Sequence, residues 1–450
     1  MIDQALEFFD RKSIDGYELY VGQSSLLEVE SKNAKTDHFE TSGSWGMAVR
    51  VLKGQRIGFS YITFAHPSRL QPTLEDAIAG AETTPQDPCL DFAPPLEAPP
   101  SRLPILDETL EGIPEERKIE IAKRLEEAAR SVDPDRIRKV RKASYREILS
   151  RNTLVNSNGL RSSYAASFVS VSVTVVAEEA GESEVGWDFD YSHFLGDVDV
   201  EKVGRSAGKK ALEKLGGRRI PSGGYPVLLE NRVASEFLSP LAHSFLAEQV
   251  HKGKSPLKGR MGERFFSSVL SVVDDGLLPT GISTSPMDGE GMPRRRTPLV
   301  VEGELCGYLY DRYWANRENA SLEGPRVKST GNSRRTGIKS PPVPGISNFF
   351  IEPAQTSFSQ LVKALHRGVV IEEVMGLHTV DPISGDFSLG CSGYWVEGGE
   401  KVHPVKSVAV AGNLFDLFRD VIAVGDDLRF LGSVGSPSLL IKNLEISGHS

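Results

Sequence analysis

NGLRSSYAASFVSVSVTVV, residues 158–176, decides how the first half of this chain folds. Asn-Gly accepts the positive φ angles of a tight hairpin turn, and strand-like runs lie on both sides of it. From Ser167 onward Val alternates with Ser and Thr, so one face of a strand is apolar and the other polar. The spacing predicts a hairpin with its valines on a core and its hydroxyls facing away.

Working outward, the same grammar recurs. PEERKIEIAKRLEEAARSV (114–132) is the clearest helix, with Pro114 near its start, acids in its first turn and apolar residues at helical spacing. Further upstream, residues 2–10 predict a short amphipathic helix and YELYVG (17–22) opens a strand-rich stretch. Strands are predicted over Thr41–Leu52 and Gln55–Phe64, with Lys53-Gly54 as the turn, and a helix over 74–82. Seven prolines within 85–104 exclude regular helix and predict an extended surface segment crossing within one domain. Downstream, residues 200–216 predict a second long helix, and RRIPSGGYP (218–226) marks a boundary. Beyond it the chain is strand-rich and punctuated by glycines. Residues 324–347, polar and basic, predict a long exposed loop.

Bulk properties narrow the function. The chain has 450 residues, 39% hydrophobic and 25% charged, enough for two or three domains with real cores. Its net charge of −9 does not suit a general nucleic-acid binder. Cys89, Cys306 and Cys391 are far apart and odd in number, which disfavours a disulfide framework and fits a reducing cytoplasm. The opening MIDQALEFFDRKS lacks the apolar run of a signal peptide, and no stretch approaches the roughly 18 apolar residues of a membrane span. The expectation is a cytoplasmic, soluble protein.

Candidate chemistry is sparse. LSPLAHSFLAEQVHKGKS (238–255) predicts a helix, broken or kinked at Pro240, running into a Lys/Gly-rich loop. His243 and His251 are eight residues apart, or ~12 Å along a helix, too far to share one ion on a continuous helix. They read as ordinary polar histidines. The alternative, relocated ligands, would draw on His243, His251, Glu248, His378 and His403. The basic clusters PRRRTP (293–298) and NSRR (332–335) offer Arg294, Arg295, Arg296, Arg334 and Arg335 as possible contacts to a substrate or partner. MDGEGM (287–292) lacks the strand–loop–helix setting of a phosphate loop. Cys391 has no neighbouring His and reads as a small buried or half-buried thiol.

KGKSPLKGRMGE (252–263), DDGLLPTGISTSPMDGEGMPRRRTPLVVEGELCGYLYD (274–311), STGNSRR (329–335), GDFSLGCSGYWVEGGEKVHPV (385–405) and AGNLFDLFRDVIAVGDDL (411–428) occur together and in order. This set resembles the TldD/PmbA family, described as modulators of DNA gyrase and as metallopeptidases. Residues 17–62 also resemble the family's opening. The resemblance implies an α+β architecture: an N-terminal α/β domain, 1–220, with a mixed sheet and flanking helices, and a C-terminal strand-rich domain, 221–450. In the TldD branch an HExxxH motif precedes the K-G-x-S stretch, and a C-terminal cysteine adds a zinc ligand. Here Leu238 and Ser239 stand where that motif has its first His and its Glu, His243 keeps the second His, and LGSVGSPSLL (431–440) has no cysteine. Leu cannot ligate zinc, and Ser cannot replace a carboxylate base. The resemblance therefore implies the PmbA (TldE)-like branch. It implies no catalytic residue and no metal or cofactor on this chain, with zinc on a TldD-type catalytic partner, or a homodimer in that partner's absence. It also implies unstructured peptides as substrates.

Overall fold

The structure is a computed structural model that describes residues 1–63, 66–96, 103–321 and 326–448. Helix α1 (Ile2–Phe9) leads into β1 (Gly16–Lys32), β2 (Lys35–Lys53) and β3 (Arg56–Ile62), then α2 (Pro67–Thr83) and α3 (Glu115–Arg130). The hairpin β4 (Lys139–Asn156) and β5 (Arg161–Glu179) follows, then β6 (Glu182–Ser192) and α4 (Val200–Glu213). The six strands form one sheet in the order β3-β2-β1-β4-β5-β6, every pair antiparallel. The expected mixed sheet is thus corrected. Tight turns join β1 to β2, β2 to β3, β4 to β5 and β5 to β6, and a tight turn reverses the chain, whereas parallel neighbours need a long crossover. The α3 excursion delivers β4 to β1 in the opposite direction, so it adds no parallel pair.

Alternation gives this sheet two unlike faces. Leu19, Val21, Leu27 and Val29 of β1 point to the helix-covered side, as do Val169, Val171, Val173 and Val175 of β5. There α1 and α2 cover the β1–β3 end, and α3 and α4 cover the β4–β6 end. Small residues let the helices sit close. A Cβ on Gly58 would lie 1.8 Å from the Ala77 carbonyl oxygen in α2. One on Gly186 would lie 2.2 Å from that of Ala207 in α4. The opposite face carries Tyr20, Gly22 and Ser24 of β1 and stays polar. The β2 strand begins six residues before the expected Thr41, because Lys35–Ser44 is exposed on both faces and offers no alternation to read. The expected end of β3 at Phe64 lies outside the described residues.

The second half begins with β7 (Gly223–Leu229) and α5 (Asn231–Leu241). β7 joins the strands Gly368–Met375, Asp386–Glu397, Glu400–Asn413, Val421–Val424 and Leu439–Ser447 in one sheet. Leu439–Ser447 pairs with both β7 and Glu400–Asn413, which closes a five-stranded barrel. A second six-stranded sheet includes Val272–Asp275, Arg296–Val301, Phe349–Ile351 and Val434–Ser436. α5 packs between the two, and one large apolar core binds them. The described part of 85–104, residues 85–96 and 103–104, has no helix or strand, as its prolines require. It does more than cross one domain: Asp91 pairs with Arg312, and Asp87 accepts the Tyr313 hydroxyl at 2.7 Å. No helix among the described residues is long and apolar enough to cross a membrane.

The Gly186 contact gives a direct test. Gly186→Ala forces α4 off the sheet and costs about 1–3 kcal/mol, read as a lower urea midpoint. Gly196→Ala, with nothing within 4 Å of the added Cβ, is the control and leaves the midpoint unchanged.

Candidate functional site

Strand register builds a trough on the polar face of the first sheet. One cross-strand row runs Ser44, Ser24, Ser150, Ala166, and the next runs Gly46, Gly22, Asn152, Tyr164. Neighbouring hydroxyls and amides satisfy one another: Ser24 and Ser44 lie 2.7 Å apart, and Tyr20 donates to Asn152 Oδ1 at 2.7 Å. Residues 336–340 arch over this surface. Gly46 leaves room for this arch, because a Cβ there would meet Ile338 at 2.8 Å and the Ile62 carbonyl at 3.0 Å; one on Gly22 would be tight against Ile338, at 3.3 Å. Two adjoining cavities result on this face. One of about 1090 Å³ lies beneath Thr336–Ser340, and the other, of about 300 Å³, ends against Asp288, Arg294, Arg334 and Arg335. They share Tyr20, Ser150 and Asn152, so the trough is continuous. A separate cavity of about 730 Å³, lined by Gln23, Ser25, Trp45 and Leu149, opens on the helix-covered face toward Leu106–Glu111.

At the arginine end the two halves of the chain are locked together. Glu18 is 1% exposed and accepts Arg50 through both oxygens, at 2.8 and 2.7 Å. Its Oε1 also accepts Arg335, which donates through Nε to the Gly289 carbonyl at 2.6 Å and lies 4.4 Å over the Tyr20 ring. Burial pushes the Glu18 carboxyl up, but the two guanidiniums outweigh it and hold the group below its usual range. Arg50 continues to Glu290 at 3.5 Å, and Glu290 accepts the Arg312 backbone N–H at 3.1 Å. Burial, then the neighbouring Glu290 charge, pushes Asp311 up to about 8.

These positions revise the sequence reading. Residues 324–347 are not a simple exposed loop: in the described part Asn332, Ser333 and Ser347 are buried, and the segment seats on the first sheet. Arg335 is an internal ion partner, with its side chain 3% exposed. Arg296 pairs with Glu352 on the surface, and Arg295 is exposed. Arg294 and Arg334 line the trough's end. Glu18, Arg50, Asp288, Glu290 and the Ser/Gly/Asn rows escaped the sequence reading. The available signal was a charge inside each apolar run, as in YELYV and MAVRVL.

The stretch matching the metallopeptidase motif runs from the last turn of α5, beside Arg429–Ser436, into a 3-10 turn, Ala242–Phe245, that carries His243. Leu238 is fully buried in the core, while Ser239 and His243 are exposed one turn apart. Ser235 Oγ is held by the Asn231 and Arg429 carbonyls at 2.8 and 3.2 Å. A lone imidazole beside a leucine and a serine does not fit zinc, which takes three or four N, S or carboxylate donors. His251 pairs with Glu318, Glu248 with Lys252, and His403 Nδ1 contacts the Pro404 carbonyl at 2.9 Å. His378 is exposed. Among the described residues no three His, Cys, Asp or Glu side chains are grouped to hold a metal ion. Cys391 is buried, and burial raises its thiol to about 12.

Half-buried Glu236, also on α5, was not anticipated. Burial first, then the Glu373 and Glu230 charges, raises it to about 7 despite Arg232, and its Oε2 is buried without a partner.

Family models for the PmbA/TldA metallopeptidase match the chain three times in order: domain 1 over residues 17–82, the central domain over 108–215 and the C-terminal domain over 222–448. The chain is 28% identical to Metalloprotease PmbA of Escherichia coli O157:H7, over 99% of this chain and 95% of that one. Its fold is similar to the crystal structure of a candidate modulator of a DNA gyrase from Thermotoga maritima, with a TM-score of 0.90 and 26% identity over 99% of both chains. It is equally similar in fold to TldE from Thermococcus kodakarensis, with a TM-score of 0.90 and 21% identity over 100% of both.

Two measurements check the site's energetics. Arg335→Gln strips a partner from a buried charge and lowers unfolding free energy in urea by about 3–5 kcal/mol. Arg296→Gln, at an exposed pair, changes it by less than about 1 kcal/mol. Glu236 has a folded pKa above its unfolded one, so its folded form holds an extra proton between the ordinary carboxylate range and about pH 7. Stability from this group is present at low pH and is lost as pH rises through that window. Glu236→Gln therefore melts at a higher temperature than the parent at pH 8, and the gap closes by pH 5.

Proposed function

The chain belongs to the PmbA/TldD metallopeptidase family, and from that premise we propose that it is a PmbA (TldE)-like subunit of a TldD/TldE-type zinc peptidase acting on unstructured peptides. The observation that carries this reading is α5. Leu238, at the position of a zinc-binding histidine, is fully buried in the apolar core, and only His243 remains as a donor. Zinc chemistry then belongs to a TldD-type partner, where the metal would polarise a peptide carbonyl and activate water. This chain's contribution is surface and shape. It docks against the partner, or against a second copy when the partner is missing, and holds an extended peptide in the trough. The Ser24, Ser44, Ser150 and Asn152 side chains suit the repeating amides of a peptide backbone. The width of the sheet lets an extended chain lie across it.

The test is zinc content of the purified chain, alone and co-expressed with a TldD-type subunit. The expected result is no tightly bound zinc on this chain alone and about one zinc per pair with the partner. Zinc-dependent peptide cleavage by this chain alone, abolished in His243→Ala, would sink the proposal.

A further inference from the structure

The smaller of the trough's two cavities is the one lined by arginines. Arg294 and Arg334 both line it, and neither makes an ion pair among the described residues. Arg294 donates Nη1 to the Gly331 carbonyl at 2.6 Å and Nε to Ser285 Oγ at 3.3 Å, both neutral acceptors. Arg335 lines the same cavity, and its Nη1 is buried with no hydrogen-bond partner. Ser333 also lines it, is 0% exposed, and has an unpartnered Oγ. Buried donors without acceptors are costly unless something accepts from them.

The nearby acids do not meet that need. Asp288 accepts the Glu290 and Met292 N–H groups on Oδ1, at 2.8 and 2.9 Å, and the Ser333 N–H on Oδ2 at 2.9 Å. Asp274 accepts from Asn332 Nδ2 at 2.7 Å and from the Ser347 hydroxyl and backbone N–H. Burial pushes both carboxyls up, and the nearby Arg294 charge acts against that rise at each. The cavity therefore presents two arginines that form no ion pair among the described residues, together with the unpartnered Arg335 Nη1 and Ser333 Oγ.

We propose that this end of the trough captures the free C-terminal carboxylate of a bound peptide through Arg294, Arg334, Arg335 Nη1 and Ser333 Oγ. Guanidinium pairs with a carboxylate through charge-assisted, often two-point hydrogen bonds, which is how a chain end is told from an internal amide. The neighbouring cavity, lined mainly by serine, glycine and asparagine, takes the neutral backbone that precedes it. The polarity is thereby set: the peptide's last residue lies against the arginines and the chain runs back under Thr336–Ser340. This inference rests on the peptide reading above and adds direction and end-recognition to it.

The experiment uses the full chain and an N-terminally fluorescein-labelled octapeptide of glycine, serine and alanine. The peptide is made with a free C-terminus and as the C-terminal amide, and binding is read by anisotropy at low salt. The expected result is at least ten-fold tighter binding of the acid. In Arg334→Gln, an exposed position that keeps the fold, the preference falls several-fold. In Arg294→Gln with Arg334→Gln it disappears while amide binding persists. Equal binding of acid and amide overturns the carboxylate inference and leaves the peptide trough standing. Binding of neither overturns both. Displacement of acid and amide alike by inorganic phosphate, without discrimination between them, assigns the arginines to a free oxyanion instead. The zinc measurement is independent of all of these, so failure of the partner reading is seen separately.

Discussion

A single carboxylate holds the architecture in register. Glu18 sits on β1, one of the two central strands of the six-stranded antiparallel sheet, and is shared by one guanidinium from its own sheet, Arg50, and one from more than three hundred residues away, Arg335. Out of water, a carboxylate flanked this way has few alternatives. Moving either arginine strands a charge, and such a vacancy is far costlier than the pair's net contribution to stability. The interaction therefore acts mainly as a specification. It dictates where the segment from Asn332 to Ile338 lies on the sheet, and hence where the trough is roofed.

The rest of the site follows from that placement and from strand alternation. Once the valine and leucine face of the sheet is committed to the helices, the other face must carry whatever lies at the alternate positions. Those positions hold serine, glycine, asparagine and tyrosine, aligned row on row by the register. Glycine at 22 and 46 then permits the Ile338 side chain to touch the sheet. α5 keeps its helical shape and its seat between barrel and sheet, with Leu238 buried in the apolar core.

Local rules made much of this legible. The Asn158-Gly159 hairpin, the Val/Ser alternation of β5, and the helices α3 and α4 all follow from turn chemistry and periodicity within a few residues. The antiparallel order of the first sheet did not, because a helix between β3 and β4 looks the same whether it leads to a parallel or an antiparallel neighbour. The first ten residues of β2 were hidden for a different reason: with both faces in water, nothing constrains their pattern. The buried ion cluster was hidden because its members are scattered from Glu18 to Arg335, and sequence spacing carries no information about partners that only the fold brings together. Arg335 and Arg334 are adjacent in sequence yet opposite in environment, one an internal counter-ion and the other exposed. Spacing alone did not single out Leu238 and Ser239 on α5; the resemblance to a known family did.

The barrel's closure has a consequence for how the chain acquires its structure. Leu439–Ser447 must find β7, more than two hundred residues earlier, before the barrel exists, whereas the first sheet is assembled largely from hairpins whose strands are neighbours. Bringing distant segments together carries a loop-closure entropy that local hairpins avoid, and folding slows as the mean sequence separation of contacts grows. The first sheet needs one such distant pairing, β1 with β4, whereas the barrel needs three, β7 with Gly368–Met375, β7 with Leu439–Ser447 and, to close, Glu400–Asn413 with Leu439–Ser447, so more loop-closure entropy stands against the barrel.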